Sequence, residues 1–136
     1  MTCRFMLDTN ICIYLMKHNP PEVAARFAQC YVGEVVISAI TLAELEYGVA
    51  CSGVNAAKNK KALEQLLEDI EVSPFDASAA GKYGPIRWAT RDRKRDALDK
   101  LIAAHAIALD VVLVTNNEAD FVGYPNLHIE NWVANH

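Results

Sequence analysis

The sequence predicts an α/β protein in which a mainly parallel β-sheet lies between layers of helices. Short apolar runs alternate along the chain with stretches of helical periodicity. The clearest run is Val111-Val112-Leu113-Val114, and its lack of polar residues is typical of a strand buried on both faces. Strands that alternate with helices need crossover connections, so we expect parallel strands and right-handed crossovers.

The first half of the chain is predicted to contain two strands and four helices. Asn10 is the expected N-cap of the first helix, and Pro21 suits the first turn of the second. Either Ser38 or Thr41 is expected to cap the third helix, which Ser52-Gly53 ends. The predicted elements are a strand over Arg4–Leu7, helices over Ile11–Lys17 and Pro21–Ala28, a strand over Val35–Ile37, a helix ending near Ala50 and an amphipathic helix over Asn55–Asp69.

The second half is predicted to contain three strands and two helices. Pro74 ends a short strand, and Asp76 is the expected cap of the helix that follows. The polar segment Arg91–Asp96 is predicted to be a loop. The predicted elements are strands over Glu71-Val72, Val111–Val114 and Leu127–Ile129, and helices over Ala77–Thr90 and Ala97–Leu109.

Length and composition suggest one domain over residues 1–136, with 52% hydrophobic residues to build its core. No apolar segment reaches the roughly 18 residues that span a membrane, and the N-terminus lacks a signal pattern. We therefore expect a cytoplasmic protein. The four cysteines form no C-x-x-C pair, which argues against a zinc site and favours buried, reduced thiols.

The net charge of −4 is not typical of a nucleic-acid binder, but the charge is unevenly distributed. Between Arg87 and Lys100 six basic residues stand against three acidic ones, so this segment carries +3 and the rest of the chain −7. A basic patch on an acidic domain is compatible with phosphate contact. The alternative interpretation is a solvated helix end and loop.

Three acidic residues are candidates for one site. Asp8 directly follows the first predicted strand, which puts it at the carboxyl edge of the sheet, where α/β proteins bind ligands. Glu44 lies beside the apolar face of the third helix and can point back over that edge, although an ordinary exposed helix carboxylate is the alternative. Asp99 opens a helix of small and apolar residues, where capping by Asp99 or by Asp96 is the alternative.

A polar cluster also follows the strongest predicted strand. Thr115 and Asn116 come directly after this strand, and Asn117 or Asp120 can supply an oxygen to a metal ion or to its water. A turn with asparagine caps is the alternative. His105 lies on an apolar helix, where a hydrogen-bonded core histidine is more common than a ligand.

If the acidic residues converge, they need a cation. Two like charges about 4 Å apart repel by roughly 4 kcal/mol at an effective dielectric constant near 20. Several carboxylates therefore converge only when some are protonated or when a cation lies between them. Oxygen ligands without His or Cys select Mg²⁺ or Mn²⁺. The sequence thus indicates a metal-dependent enzyme.

Four segments carry motifs that are specific in combination. They are Phe5–Ile11, Ser38–Gly48, Asp99–Ala106 and Val114–Phe121. In these residues and this order, the chain resembles the PIN-domain ribonucleases, and most closely the VapC-type toxins of bacterial toxin–antitoxin pairs. The motifs extend over nearly the whole chain.

This resemblance implies a three-layer α/β/α fold and a Mg²⁺- or Mn²⁺-dependent endoribonuclease that cleaves RNA, tRNA included, and so inhibits translation and growth. Asp8, Glu44 and Asp99 match the family's acidic residues and are the implied catalytic metal ligands. Asn117 or Asp120 takes the family's fourth acidic position. The implied substrate contacts are Thr9, Asn10, Thr115, Asn116 and the basic residues Arg91, Arg93, Lys94 and Arg95.

The resemblance further implies a homodimer or larger assembly, neutralised by a VapB-like antitoxin whose tail enters the acidic groove. Exposed apolar residues on the first helices would be consistent with such a partner, although they are also candidates for the core. These residues are Ile13, Tyr14, Phe27 and Tyr31.

Other functions fit the sequence less well. A degenerate, non-catalytic PIN module that binds RNA or protein is favoured only by the two asparagines after Thr115. A phospho-receiver domain would need adjacent acidic residues after the first strand and a late lysine, yet Asp8 stands alone and no lysine follows Lys100. A phosphatase of the Asp-x-Asp type fails because Asn10 occupies the second position.

Overall fold

The computed structural model describes residues 2–93, 95 and 97–134. Its centre is a five-stranded sheet in the order β3-β2-β1-β4-β5. Every neighbouring pair of strands is parallel, which confirms the predicted mainly parallel sheet. The strands are β1 (Phe5–Leu7), β2 (Val35–Ser38), β3 (Glu71–Ser73), β4 (Val112–Val114) and β5 (Ile129–Glu130).

Helices cover both faces of this sheet. They are α1 (Thr9–Lys17), α2 (Pro21–Ala28), α3 (Ala39–Ala50), α4 (Ala56–Asp69), α5 (Ala77–Ala89) and α6 (Ala97–Leu109). Two short 3₁₀ helices, Gly53–Asn55 and Glu118–Phe121, were not predicted. Within the described residues, no helix is long and apolar enough to cross a membrane.

The core consists of two clusters, one on each face of the sheet. Residues alternate along β1, so that Phe5 and Leu7 face one cluster and Met6 faces the other. The first cluster packs β1 and β2 against α1, α2 and α4. The second packs them against α5 and α6, where Ile86 and Ile102 are almost fully buried. This arrangement confirms the expected three layers.

The boundaries of most predicted elements are correct to within one residue, but the first cap is wrong. Asn10 was the predicted N-cap, yet Asp8 caps α1 because its Oδ1 accepts the N–H of Ile11 at 3.0 Å. The helix therefore begins directly after β1, and Asn10 lies in its first turn. Of the two candidates for the third helix, Ser38 is the cap, since its hydroxyl accepts the N–H of Ile40.

The last strand lies further along the chain than predicted. The sequence placed it at Leu127–Ile129, whereas β5 is Ile129–Glu130. The register explains this shift, because Leu113 pairs with Ile129 and Val114 with Glu130. The prediction of buried thiols holds only for Cys12, since Cys3 and Cys30 are half-buried and Cys51 is exposed.

His105 joins three elements and is the hydrogen-bonded core histidine that the sequence predicted. Its Nδ1 lies 2.8 Å from Oγ of Ser38, and its Nε2 lies 3.1 Å from Oγ of Ser73. The ring also packs edge-on against Phe75. Burial lowers the pKa of His105, and the negative charge of Asp76 opposes this effect only in part. A neutral imidazole therefore links α6 to the ends of β2 and β3.

The lowered pKa of His105 predicts a loss of stability in acid. Above the usual pKa of about 6.5, the ring is neutral in both folded and unfolded chains. As the pH falls through that value, the unfolded chain takes up a proton first, so the free energy of unfolding decreases by up to about 1.4 kcal/mol per pH unit until the folded pKa is reached.

Urea denaturation at pH 7.5 and at pH 5.5 tests this expectation. The difference in unfolding free energy between the wild type and His105→Gln should shrink at the lower pH. His128→Gln, which changes an exposed histidine, serves as the control. A difference that is the same at both pH values would contradict the buried neutral state of His105.

Candidate acidic site at the carboxyl edge of the sheet

The candidate site lies where the strand order reverses. The chain proceeds from β1 through β2 to β3 on one side of the sheet, and from β4 to β5 on the other. Such a reversal leaves a crevice at the carboxyl ends of the two central strands. Asp8 directly follows β1 and Thr115 directly follows β4, and the Asp8 N–H donates to the Val114 carbonyl at 3.0 Å. The topology therefore brings these two polar residues together.

Asp8 is a buried carboxylate with three hydrogen-bond donors. The backbone N–H groups of Ile11 and Asn10 donate to it, as does the hydroxyl of Thr115. Thr115 is itself fully buried, and its Oγ1 accepts the N–H of Asn117 at 3.0 Å. The Thr115 hydroxyl is thus held by the loop after β4 while it donates to Asp8, so this loop helps to orient the carboxylate. These contacts restrain the carboxylate of Asp8.

The electrostatic environment of Asp8 is unfavourable for a bare carboxylate. Burial raises its pKa, and the nearby charge of Glu44 raises it further, while the three hydrogen bonds lower it without cancelling the increase. Asp8 is only 5% exposed. A negative charge held in this place gains from a neighbouring cation.

Glu44 reaches the site from α3. Its Oε1 accepts a hydrogen bond of 2.6 Å from the hydroxyl of Thr9, the residue next to Asp8. Glu46, two residues later, points elsewhere and pairs with Lys60 at 3.0 Å. The structure therefore brings Asp8, Thr9, Glu44 and Thr115 together at one edge, as the sequence predicted.

Asp99 lies in the first turn of α6, at the same edge but farther out. Helix α6 leads back to β4, so its first turn lies beyond the carboxyl ends of the strands. His105, six residues later, is level with the end of β2 because it contacts Ser38. At 1.5 Å per residue, Asp99 is displaced from that level by about 9 Å along the helix axis.

The donor set fits a hard divalent cation held by few protein ligands. Within residues 2–93, 95 and 97–134, no three His, Cys, Asp or Glu side chains are close enough together to hold a metal ion on their own. Asp8 and Glu44 nevertheless offer buried or half-buried carboxylate oxygens of like charge. Mg²⁺ is commonly bound by one or two carboxylates, with water and substrate phosphates completing its shell.

The other predicted site residues after β4 have different environments. The amide of Asn116 is held in place, since it donates to Tyr14 Oη at 3.3 Å and its Oδ1 accepts from Asn131 at 3.2 Å. Asn117 and Asp120 are both exposed. Their assignment to the fourth acidic position stays a prediction.

The basic loop has a structural role that sequence reasoning missed. Arg93 donates from Nη1 to the carbonyl of Asp120 at 3.2 Å and from Nη2 to that of Val122, and it lies over the ring of Tyr124. Buried Lys100 donates to the carbonyls of Thr90, at 2.9 Å, and Arg93. No local sequence signal distinguishes these cations from their neighbours, because their acceptors are backbone carbonyls.

The remaining described basic residues of this loop are exposed. Arg91 donates to the carbonyl of Trp88 at 2.9 Å, and Arg95 is the other exposed cation. Lys94, which was predicted to contact RNA, and Asp96, the alternative to Asp99, lie outside the described residues.

An apolar groove opens beside Glu44. A cavity of about 550 Å³ between α1, α3 and α4 is lined by Glu44 and by apolar side chains, including Ile13, Met16, Leu45 and Val49. A second cavity of about 200 Å³ shares Met16 with the first and extends toward Phe27 of α2. Together these cavities form what we call the α1 groove.

The apolar residues predicted to be exposed for a partner are mostly not exposed. Ile13, Tyr14 and Phe27 are partly buried and pack against the first core cluster. Only Tyr31, which is 68% exposed, lies open to solvent. The α1 groove, rather than a flat apolar surface, is therefore the feature that could receive a partner chain.

The chain is similar to known proteins over nearly its whole length. The model of the family described as "PIN domain" matches residues 5–125. The tRNA(fMet)-specific endonuclease VapC of Shigella flexneri is 38% identical over 131 residues, which cover 95% of this chain and 98% of that protein. Ribonuclease VapC2 of Rickettsia felis is 38% identical over 133 residues, covering 94% and 97% respectively.

Solved structures with the same fold include toxin–antitoxin complexes. The chain matches DNA-bound VapBC of Salmonella typhimurium with a TM-score of 0.88 and 36% identity, over 97% of this chain and 100% of that one. It matches VapBC2 of Rickettsia felis, bound to a promoter DNA fragment, with a TM-score of 0.87 and 36% identity, over 95% and 98%.

We expect Thr115 to stabilise the fold through its two hydrogen bonds at the site. Thr115→Val keeps the shape of the side chain but leaves Asp8 without its hydroxyl donor and the N–H of Asn117 without its acceptor. The free energy of unfolding should fall by about 1–3 kcal/mol, measured by urea denaturation. Thr115→Ser retains the hydroxyl and should keep most of this stability. A valine variant as stable as the wild type would contradict the role given to this hydroxyl.

Proposed function

The chain belongs to the PIN-domain family, in its VapC group, and we propose that it is a toxin whose endoribonuclease activity requires a divalent metal ion held by Asp8. The observation that carries the metal requirement is the buried Asp8 carboxylate in the crevice between β1 and β4. Its raised pKa, caused by burial and by the charge of Glu44, marks a site that a cation would stabilise.

In this proposal Asp8, Glu44 and Asp99 bind the metal, either directly or through water. The bound Mg²⁺ or Mn²⁺ would lower the pKa of the attacking water and stabilise charge on the scissile phosphate. Thr115 and the first turn of α1 hold the Asp8 carboxylate in one orientation. Thr9 does the same for Glu44 through its hydrogen bond of 2.6 Å. Asn117 or Asp120 would take the fourth position at this edge.

The substrate in this proposal is RNA, and the class of RNA that we propose is tRNA. The VapC of Shigella flexneri is named a tRNA(fMet)-specific endonuclease, and 38% identity over nearly the whole chain supports a related substrate here. Cleavage of such an RNA would inhibit translation and growth. Thr9, Asn10, Thr115 and Asn116 form the polar edge along which the phosphate backbone would lie.

The partner is a VapB-like antitoxin, as in the VapBC complexes that this chain matches. The α1 groove supports this assignment, because much of its lining is apolar and Glu44 forms part of its wall. An antitoxin segment in the groove would approach the acidic site directly. Assembly as a homodimer and location in the cytoplasm, both expected from the sequence, belong to the same proposal.

A non-catalytic PIN module is the second candidate. Two observations favour it: asparagine rather than an acidic residue at position 117, and the absence, within the described residues, of a three-residue metal cluster. The two candidates predict different results when metal is added.

We expect Asp8→Asn to abolish cleavage without unfolding the protein. The amide oxygen can still accept the N–H of Ile11, and loss of the charge removes the repulsion from Glu44. Cleavage of total cellular RNA in Mg²⁺ should fall by about 100-fold or more, while the free energy of unfolding stays the same or rises. Asp110→Asn, at the far end of α6, is the matched control and should remain active.

Metal binding provides a readout that does not depend on activity. Millimolar Mg²⁺ or Mn²⁺ should raise the melting temperature of the wild type and of Asp110→Asn, but not that of Asp8→Asn. Metal-dependent stabilisation without cleavage of any RNA would favour the non-catalytic module. Undiminished cleavage by Asp8→Asn, or by the wild type in excess chelator, would overturn the metal-dependent proposal.

A further inference from the structure

The two tryptophans of the chain have opposite environments. Trp132 is 6% exposed and packs edge-on against Phe5 in the core, whereas Trp88 is 68% exposed. Trp88 lies in the last turn of α5. Tyr31 and Tyr47 are similarly exposed, at 68% and 72%, but among the described residues Trp88 is the exposed aromatic that has a guanidinium against its ring.

Arg91 holds Trp88 in a defined arrangement. Its guanidinium carbon lies 4.1 Å from the centre of the indole ring, which is stacking distance, and its Nη1 donates to the Trp88 carbonyl at 2.9 Å. The hydrogen bond and the stacking together fix the guanidinium against the ring. The rest of the indole surface is open, so the pair presents an aromatic surface with a cation already attached.

The segment that carries this pair is positively charged. Between Arg87 and Lys100 it contains six basic and three acidic residues, a net charge of +3 on a chain of −4. In the part of this segment that the structure describes, Arg87, Arg91 and Arg95 are exposed. A two-fold contact with a second copy would bring this surface against itself and oppose like charges. A polyanion is the better match.

The pair also lies at the same end of the molecule as the acidic site. Lys100 in the first turn of α6 donates to the Thr90 carbonyl just after α5, so these two helix ends are bound together. Asp99 immediately precedes Lys100. A strand of RNA bound at the acidic edge can therefore pass over the end of α5.

We propose that Trp88 and Arg91 form a platform on which one unpaired base of the RNA substrate stacks, while Arg91 contacts the adjoining phosphate. This inference rests on the proposed function, since it takes RNA as the ligand. Stacking on an aromatic ring tolerates any base and needs one that is not paired in a helix. The platform therefore selects single-stranded segments rather than a base sequence.

Tryptophan fluorescence reports this contact directly. Base stacking should quench Trp88, while buried Trp132 contributes an unchanged background. The probe is a 12-nucleotide single-stranded RNA of mixed sequence, titrated in excess EDTA and checked on a gel to be intact. The wild type should show saturable quenching, and the same RNA annealed to its complement should bind at least fivefold more weakly, in line with the loss of a stacked base.

Three variants and two controls separate stacking from general charge. Trp88→Ala should weaken binding by about 10-fold, Trp88→Phe should bind within about threefold of the wild type but lose the quenching, and Arg91→Ala should weaken binding and reduce the salt dependence. Tyr31→Ala removes an aromatic side chain of equal exposure, 68%, on the loop before β2. Lys61→Ala removes an exposed cation of α4. Both controls should bind like the wild type.

The proposal and the nuclease function fail in different ways. Wild-type affinity in Trp88→Ala, or binding without quenching, would overturn the platform even if cleavage is normal. Dissociation of a wild-type dimer by Trp88→Ala, seen by light scattering, would also overturn it, because a second copy would then be what covers Trp88. Quenching in the wild type and weakened binding by Trp88→Ala would support the platform. If neither the wild type nor any variant cleaves RNA in Mg²⁺, the same results would count against the nuclease. With cleavage present, Trp88→Ala should raise KM and leave kcat nearly unchanged.

Discussion

The hydrogen bonds around Asp8 join the fold to the site. Asp8 directly follows the central strand β1, and its carboxylate caps α1. The same carboxylate accepts a hydrogen bond from the hydroxyl of Thr115, which follows the neighbouring strand β4. Any change in the relative position of β1, β4 and α1 would therefore alter all three contacts. The arrangement also places this carboxylate in a buried position beside the charge of Glu44. The atoms that hold the three elements together are therefore the atoms at which a negative charge is least favourable. The carboxylate that we propose as a metal ligand is therefore also the cap of the first helix.

Much of the fold could be predicted because its signals are local. The run Val111–Val114, the cap Asp76 and the apolar helix around His105 are all evident from a few consecutive residues. The first cap was missed because Asn10 and Asp8 both suit an N-cap, and only the tight turn after β1 decides between them. The last strand was misplaced because its register depends on β4, fifteen residues away.

The sequence could nominate residues for the candidate site but not the contacts between them. Asp8, Glu44 and Asp99 were proposed from their positions after strands and in early helical turns, together with a family resemblance, and their roles stay predictions. The hydrogen bond from Thr9 to Glu44 spans 35 positions of sequence and leaves no local pattern. In the sequence, Arg93 and Lys100 could not be told from cations that face solvent, yet both donate hydrogen bonds to backbone carbonyls. Exposed Trp88 drew no attention because sequence alone does not tell a surface tryptophan from a core one.

Glu44 lines the α1 groove and also lies beside Asp8, so this one residue links the groove's occupant to the proposed chemistry. If an antitoxin fills the groove in the way we propose, it and the RNA compete for space around one carboxylate. Two ligands that exclude each other follow mass action, so the free fraction of the enzyme depends on the ratio of the two proteins and on their dissociation constant. With tight binding, activity would stay near zero until the inhibitor falls below equivalence and would then rise steeply. A cell could obtain threshold behaviour in this way from a single site, without any change of shape in the enzyme.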